Sequence, residues 1–207
     1  AGGMARTHLE AIAATIRPDR ARVYSPTPAT RDAFAAEMSA KLDLEVLAMD
    51  DPAEAVRGAE VIATTTNSTV PTIDAAWLEP GQFVTYVTRL EIDAGVESRV
   101  DSHFTLDQRI FSGMEGGAWI RYLPGRTDAE IEERIRGFGD APDPSLIDVL
   151  AGRIEGRRSA DELILFNNNG HEGLQFPSVA AVIYREARSR GLGHEIPTEY
   201  FLQDIKN

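Results

Sequence analysis

Short apolar runs alternate along this chain with stretches whose apolar residues recur every three or four positions. Met4, Leu9, Ile12, Ala13 and Ile16 share one helical face, so a helix is predicted to begin near Gly3. Arg17-Pro18-Asp19 breaks that pattern, and Ala21-Arg22-Val23-Tyr24-Ser25 reads as a short buried strand. Thr27 is a candidate N-cap and Pro28 a first helical residue, with Phe34, Met38 and Leu42 on the inner face of the helix that follows. Leu44 to Ala48 is the next strand, and Asp51 caps a short helix ending near Gly58. Glu60 to Thr66 is apolar without alternation, as a strand covered on both faces should be. Trp77-Leu78-Glu79-Pro80-Gly81 turns into a strand from Gln82 to Val87, and Ser102 to Leu106 reads as the last strand of the set.

Strands and helices alternating at this spacing predict an α/β fold with a doubly wound, Rossmann-type parallel sheet. Such sheets bind ligands outside the carboxyl ends of their strands. Four small or polar loops fall at that edge: Gly2 to Ala5, Ser25 to Arg31, Thr64 to Ser68, and Val87 to Arg89. From Asp107 the pattern changes. Gly113 to Gly117 is a Gly-rich loop, Asp128 to Gly137 a charged helix, and Asp140 to Pro144 a linker. Ser145 caps a helix over Leu146 to Ala151, and Leu163 to Phe166 is a short buried strand. Asn167 to Gly173 is a polar loop. Pro177 to Arg190 is a helix with Val179, Val182, Ile183 and Ala187 inward, ended by Gly191-Leu192-Gly193. The expected division is a nucleotide-binding domain over 1–145 and a C-terminal segment over 146–207, whose helix belongs to a partial second domain.

The opening residues carry the first chemical signal. Gly2 and Ala5 fit the second and third small positions of G-x-G-x-x-G/A, where backbone approaches a pyrophosphate and a helix packs closely on a strand. The first Gly and its strand would then precede Ala1. The alternative is an ordinary Gly-rich helix start. Composition narrows the classes. The chain has no Cys, and so no disulfide, thiolate nucleophile or Cys metal site. Its lysines are Lys41 and Lys206, both at surface-type positions, which disfavours Schiff-base chemistry. A net charge of −12 argues against a nucleic-acid partner. No apolar run reaches membrane-spanning length and no signal peptide is visible, so a soluble cytoplasmic protein without a membrane partner is expected. No His, Asp and Glu spacing resembles a metal site.

A series of motifs then points to one family. Gly2-Gly3-Met4-Ala5-Arg6-Thr7-His8, the Val23-Tyr24-Ser25 turn, Thr64-Thr65-Thr66-Asn67-Ser68 with Pro71, Trp77 to Gly81, and Glu91-Ile92-Asp93 resemble the ornithine cyclodeaminase/μ-crystallin family. So do Val149 to Arg153 with Gly156-Arg157, Leu165-Phe166, and Val182-Ile183-Tyr184 leading to Gly191-Leu192-Gly193. The resemblance implies a Rossmann domain inserted into a substrate and dimerisation domain, itself built from an N-terminal segment and the C-terminal helix. It implies NAD(P) chemistry on amino acids and imines, namely cyclodeamination, alanine dehydrogenation, opine-type synthesis or ketimine reduction. The expected function is thus an NAD(P)-dependent oxidoreductase acting on an amino acid or imine. A cyclodeaminase-type lyase using NAD and a non-catalytic NADP(H)-binding, crystallin-like protein are the alternatives. The family's N-terminal segment, with its substrate-binding Arg and Lys and the first Rossmann strand, has no match here. The expectation is that a preceding segment or a partner chain supplies it, and that a homodimer forms only with it. The family's catalytic Asp, carried on a Gly-rich loop after the strand ending at Val87, also has no match, because Thr88-Arg89 runs straight into Leu90-Glu91-Ile92-Asp93. The family's Gln-Asp before the last helix is replaced by Gln175-Phe176-Pro177.

The expected cofactor-binding residues are Gly2, Gly3, Met4 and Ala5; Ser25, Thr27 and Arg31; Thr64, Thr65, Thr66 and Asn67; and Val87. NAD enzymes place a carboxylate after the second strand for the ribose 2′-OH, and NADP enzymes an Arg. Ser25, Thr27 and Arg31 at that place, with no carboxylate before Asp32, favour NADP over NAD. His171 in its polar loop and Glu115 in its Gly-rich loop are candidates for the catalytic proton donor or acceptor, with surface roles the alternative. His8 and His103 read as structural.

Overall fold

The computed structural model describes residues 1–106, 144–168 and 172–201. The expected Gly-rich loop, charged helix and linker between Asp107 and Asp143 lie outside the described residues, as do Glu115 and His171. The chain divides into two compact units, Ala1–Gly170 and His171–Asn207.

Among the described residues, the first unit holds six parallel strands in two sheets. β1 (Arg20–Val23) pairs with β2 (Glu45–Ala48), and the second sheet runs β3 (Val61–Thr64), β4 (Phe83–Tyr86), β6 (Ile164–Asn167), β5 (Ser102–Thr105). Pairing is in step within the larger sheet. Thr64 lies beside Tyr86, Tyr86 beside Asn167 and Thr105 beside Asn167, so four carboxyl ends finish at one level. Its helices among the described residues are α1 (Gly3–Ile16), α2 (Pro28–Leu42), α3 (Pro52–Val56), α4 (Ala94–Arg99) and α5 (Leu146–Leu150).

Two cores match the two sheets. Phe34, Ala35 and Met38 of α2 bury against Val46 of β2, with Ala5 and Leu9 of α1 and Ala21 and Val23 of β1 packed around them. Arg6 of α1 lies over the Phe34 ring at 5.4 Å and its guanidinium bonds Glu37 at 2.6 Å, while Lys41 bonds Glu10 at 2.7 Å. These contacts fasten α1 to α2. The second core joins Ile62, Val84, Tyr86 and Leu165 of the larger sheet to Val56, Ile73, Leu78, Ile92 and Val96.

Three differences from the sequence-based picture have physical causes. Ser102 to Leu106 is not the last strand of the set along the chain: β6, the run read as Leu163 to Phe166, joins the same sheet between β4 and β5 and leaves β5 at its edge. β6 therefore lies in the sheet although it falls beyond residue 145, where the sequence-based division was drawn. Apolar content marks a strand as central without saying which neighbours it takes. Second, the strand over Ala21 to Ser25 is half-exposed rather than buried, because its open edge faces a cleft. Third, the last helix, α6 (Glu172–Ser189), begins five residues before Pro177 and carries that proline inside it. Its expected inward residues Val179, Val182 and Ile183 are 59%, 52% and 62% exposed. An apolar stripe needs a second element to bury it, and the second unit supplies none among its described residues.

Candidate functional site

Between the two sheets runs a cleft of about 290 Å³. β1, from Arg20 to Val23, lines one wall and β3, from Val61 to Thr64, the other, with Ala5, His8, Leu9 and Ile12 of α1 along its length. β1 pairs only with β2 and β3 only with β4 among the described strands, so each presents an open edge to the cleft. Thr64, Thr65, Thr66 and Thr72 line it at the carboxyl ends of the strands. The hydroxyls of Thr64 and Thr72 are buried and have no hydrogen-bond partner among the described residues. A buried polar atom without a partner costs roughly 1–3 kcal/mol, so these two mark the cleft as a place for a polar group.

The N-terminus of α1 sits at the same end. Its N-cap is Gly2, in extended backbone, with no side-chain cap and no acidic residue in the first turn. The first intrahelical bond is from Arg6 N–H to Gly2 O at 3.3 Å, which leaves the amides of Gly3, Met4 and Ala5 without a helical acceptor. A Cβ built at Gly2 or Gly3 meets nothing within 4 Å, so the space beside these amides is open. Met4 is 48% exposed. Uncapped amides, a positive dipole end and free space suit an anion such as a pyrophosphate.

Arg31 stands beside the Ser25 turn with its guanidinium already engaged. One guanidinium nitrogen donates to Ser25 O at 3.1 Å, and the other pairs with the Asp50 carboxylate. The Arg31 side chain is 9% exposed and that of Asp50 is 93% exposed. A carboxylate therefore does stand at this place. It arrives from the end of β2 and not from the Ser25 turn, and the signal for it was legible, since Asp50 closely follows a parallel strand. Thr27 is the N-cap residue of α2, but its side chain makes no capping bond.

Thr65 and Thr66, read as strand, belong to the loop after β3. The Thr66 amide leaves the ladder to donate to Glu91 Oε1 at 2.6 Å, and the Thr66 hydroxyl accepts from Ser68 N–H at 3.1 Å. Val87 N–H donates to Glu91 Oε2 at 3.3 Å. Of the expected cofactor residues, the cleft lining thus gathers Ala5, Thr64, Thr65 and Thr66. Gly2, Gly3, Met4, Ser25, Thr27, Arg31, Asn67 and Val87 lie outside that lining.

Two further groups meet within the larger sheet, outside the cleft lining. Tyr86 ends β4 fully buried, and its hydroxyl lies 3.1 Å from His103 Nε2. Burial, and secondarily the Arg89 charge, push the His103 imidazole down to about 4, so it is neutral at pH 7. Among the described residues no His, Asp and Glu cluster is placed to hold a metal, and no helix is long and apolar enough to cross a membrane.

Comparison with known proteins gives the family and the fold. The model of the ornithine cyclodeaminase/mu-crystallin family matches residues 1–191. A protein named as a dehydrogenase in Rhizobium meliloti (strain 1021) is 34% identical over 194 residues, which are 93% of this chain and 56% of that protein. Among solved structures, the chain is similar to Thermococcus litoralis Delta(1)-pyrroline-2-carboxylate reductase in complex with NADH and L-proline, with a TM-score of 0.73 at 23% identity over 95% of this chain and 58% of that one. It is also similar to the iminosuccinate reductase of Paracoccus denitrificans in complex with NAD+, with a TM-score of 0.72 at 20% identity over 95% of this chain and 57% of that one. The chain spans little more than half the length of these relatives. By the match over residues 1–191, the chain belongs to the ornithine cyclodeaminase/mu-crystallin family.

Proposed function

We propose that the protein carrying this chain is an NAD(P)-dependent oxidoreductase acting on an amino acid or imine. The observation that carries this reading is the uncapped N-terminus of α1, with its open glycines, at the carboxyl end of parallel strands. The residues present fit the cofactor. Gly3, Met4 and Ala5 would offer amides to the pyrophosphate. Ser25, Thr27 and Arg31 would meet the adenosine ribose, and Thr64 to Asn67 with Val87 the other half. A bound nicotinamide supplies a hydride acceptor or donor; the protein's part is to bind, orient and keep water away. The dehydrogenase name of one relative supports an oxidoreductase, and the pyrroline-2-carboxylate and iminosuccinate reductase names of two structural neighbours support an amino-acid or imine substrate. The cyclodeaminase alternative is weaker, since the residues between Tyr86 and Ile92 include no Asp. His171 and Glu115 stay candidates for proton transfer. The test is NADH or NADPH oxidation by the full-length protein with pyrroline-2-carboxylate and with open-chain keto acids plus ammonia. Saturable turnover supports the reading; binding without turnover on any of them favours the crystallin-like alternative.

The same reading includes a cytoplasmic location and a further peptide segment in the cleft. The open edges of β1 and β3, and the half-exposed apolar face of α1, call for a strand between them. Hydrogen exchange on the full-length protein checks this. The amides of Arg20 to Val23 and Val61 to Thr64 should be protected, and rapid exchange at both edges would contradict it. A homodimer through the substrate domain also belongs here, supported by the exposed apolar stripe of Phe176, Val179, Val182 and Ile183 on α6.

A further inference from the structure

We propose that Glu91 is the positioning residue that holds the loops after β3 and β4 in one frame, and thereby sets where the nicotinamide half of a bound dinucleotide lies. The inference rests on the cofactor reading above and assigns a role to a residue that reading does not use.

Glu91 is fully buried, and its carboxylate serves two separate segments. Oε1 accepts from Thr66 N–H at 2.6 Å. Oε2 accepts from Thr88 N–H at 2.9 Å and from Val87 N–H at 3.3 Å. The backbone of Glu91 adds two more ties, its carbonyl accepting from Thr72 N–H at 2.9 Å and its N–H donating to Thr88 O at 2.9 Å. One residue thus fixes both ends of the loop after β3, at Thr66 and Thr72, and the exit from β4.

A carboxylate suits this task because it is a pure acceptor with two oxygens, and the donors come from two directions. An amide of the same size keeps one oxygen and turns an N–H₂ group toward the other donors. Stability alone gives little reason for the choice, since a buried ionised group is often no better than an apolar one of equal volume. What the carboxylate adds is relative position. The hydroxyls of Thr64 and Thr72, buried and without a hydrogen-bond partner among the described residues, bracket the loop that Glu91 holds.

The sheet order says which half of the ligand is concerned. The ribose 2′ position is read after the second strand of such folds, here at Ser25 to Arg31 beside β1 and β2. The loops held by Glu91 lie across the cleft, after β3 and β4, and face the other half.

Titration of NADH, NADPH and ADP-ribose against full-length wild type, Glu91→Gln and Glu91→Asp, with thermal melts of each, tests the proposal. Loss of charge-assisted bonds on one side of the frame should weaken both full dinucleotides about tenfold in Glu91→Gln while ADP-ribose changes less than about twofold. Glu91→Asp, which keeps both oxygens, should recover part of the loss, and it decides the matter if Glu91→Gln does not fold. A purely structural staple would lower the melting temperature and leave the ratio of dinucleotide to ADP-ribose affinity unchanged, and that result overturns the proposal. A wild type that binds neither ligand overturns the cofactor reading and this inference with it.

Discussion

Replacing Asp50 with Asn should move the full-length protein toward NADP(H). Arg31 shares its guanidinium between the Ser25 carbonyl and the Asp50 carboxylate. A 2′-phosphate at the Ser25 turn would compete with Asp50 for Arg31 and would also feel its negative charge. The Asp50 side chain is 93% exposed, so the repulsion acts through water. Two unit charges about 4 Å apart in water interact by about 1 kcal/mol, and physiological salt reduces this further. Removing the carboxylate should therefore tighten NADPH by roughly two- to fivefold, corresponding to ~0.5–1 kcal/mol. NADH should be unchanged or slightly weakened, because a carboxylate there can accept from the ribose 2′-OH. Arg31→Ala removes the attractive partner. A hydrogen bond to a charged group contributes about 1.5–3 kcal/mol, and competition from Asp50 reduces this, so NADPH should weaken by up to about tenfold. That variant also strips the Ser25 carbonyl of a donor, which makes Asp50→Asn the cleaner test. Fluorescence titration of both reduced cofactors at low and physiological salt reads the result. Equal shifts for the two cofactors in Asp50→Asn, or weaker NADPH binding, would refute the reasoning.

Two predictions concern stability. Burial pushes the Glu162 carboxyl up, but the Ser102 hydroxyl, the Arg158 backbone amide and the Arg158 guanidinium outweigh it and bring the group from 4.5 to about 2. A depressed carboxylate stabilises above its unfolded pKa, so that contribution is lost as pH falls from 4.5 to about 2. His103 acts earlier. Its imidazole is lowered from 6.5 to about 4, so protonation favours the unfolded chain as pH falls across that window. Urea midpoints should decline from about pH 6.5 downward, and His103→Gln should flatten the upper part of the decline; an unchanged profile in that variant would remove His103 from the account. Gly81→Ala should destabilise by about 2–5 kcal/mol, adding the left-handed backbone penalty to overpacking. Gly81 has φ +82 and a Cβ there would lie 2.7 Å from Ala160 O, whereas Gly152, at φ +68, has nothing within 4 Å. Thermal melts giving equal losses for Gly81→Ala and Gly152→Ala would contradict the close approach.

The strands were legible because each carries its own apolar residues, such as Ile62, Val84 and Leu165, in an unbroken run. Their ends were read too long. Thr65 and Thr66 look like strand by composition, but the Thr66 amide is taken by Glu91, 25 residues away. Asp50 and Arg31 are 19 residues apart and meet only because β1 and β2 pair in parallel and finish together. The place of β6 between β4 and β5 depends on pairing order, which no local pattern encodes. One missed signal was local. Thr88 and Glu91 stand three apart, the spacing of a capping box, and in the structure Glu91 reaches back to the Thr88 amide.

The central claim is that the α1 N-terminus receives the dinucleotide's pyrophosphate. Gly2→Asp tests it most directly, because folding and binding should move in opposite directions. Asp is a favoured N-cap and nothing crowds a Cβ at Gly2, so α1 should gain a few tenths of a kcal/mol from capping, and up to about 1 kcal/mol with the helix dipole included. The same carboxylate would occupy the free amides and repel the pyrophosphate, so NADH and NADPH affinity, measured by calorimetry on the full-length protein, should fall by about tenfold or more. A raised melting temperature with both cofactors weakened is the predicted result. A raised melting temperature with affinity unchanged would contradict it.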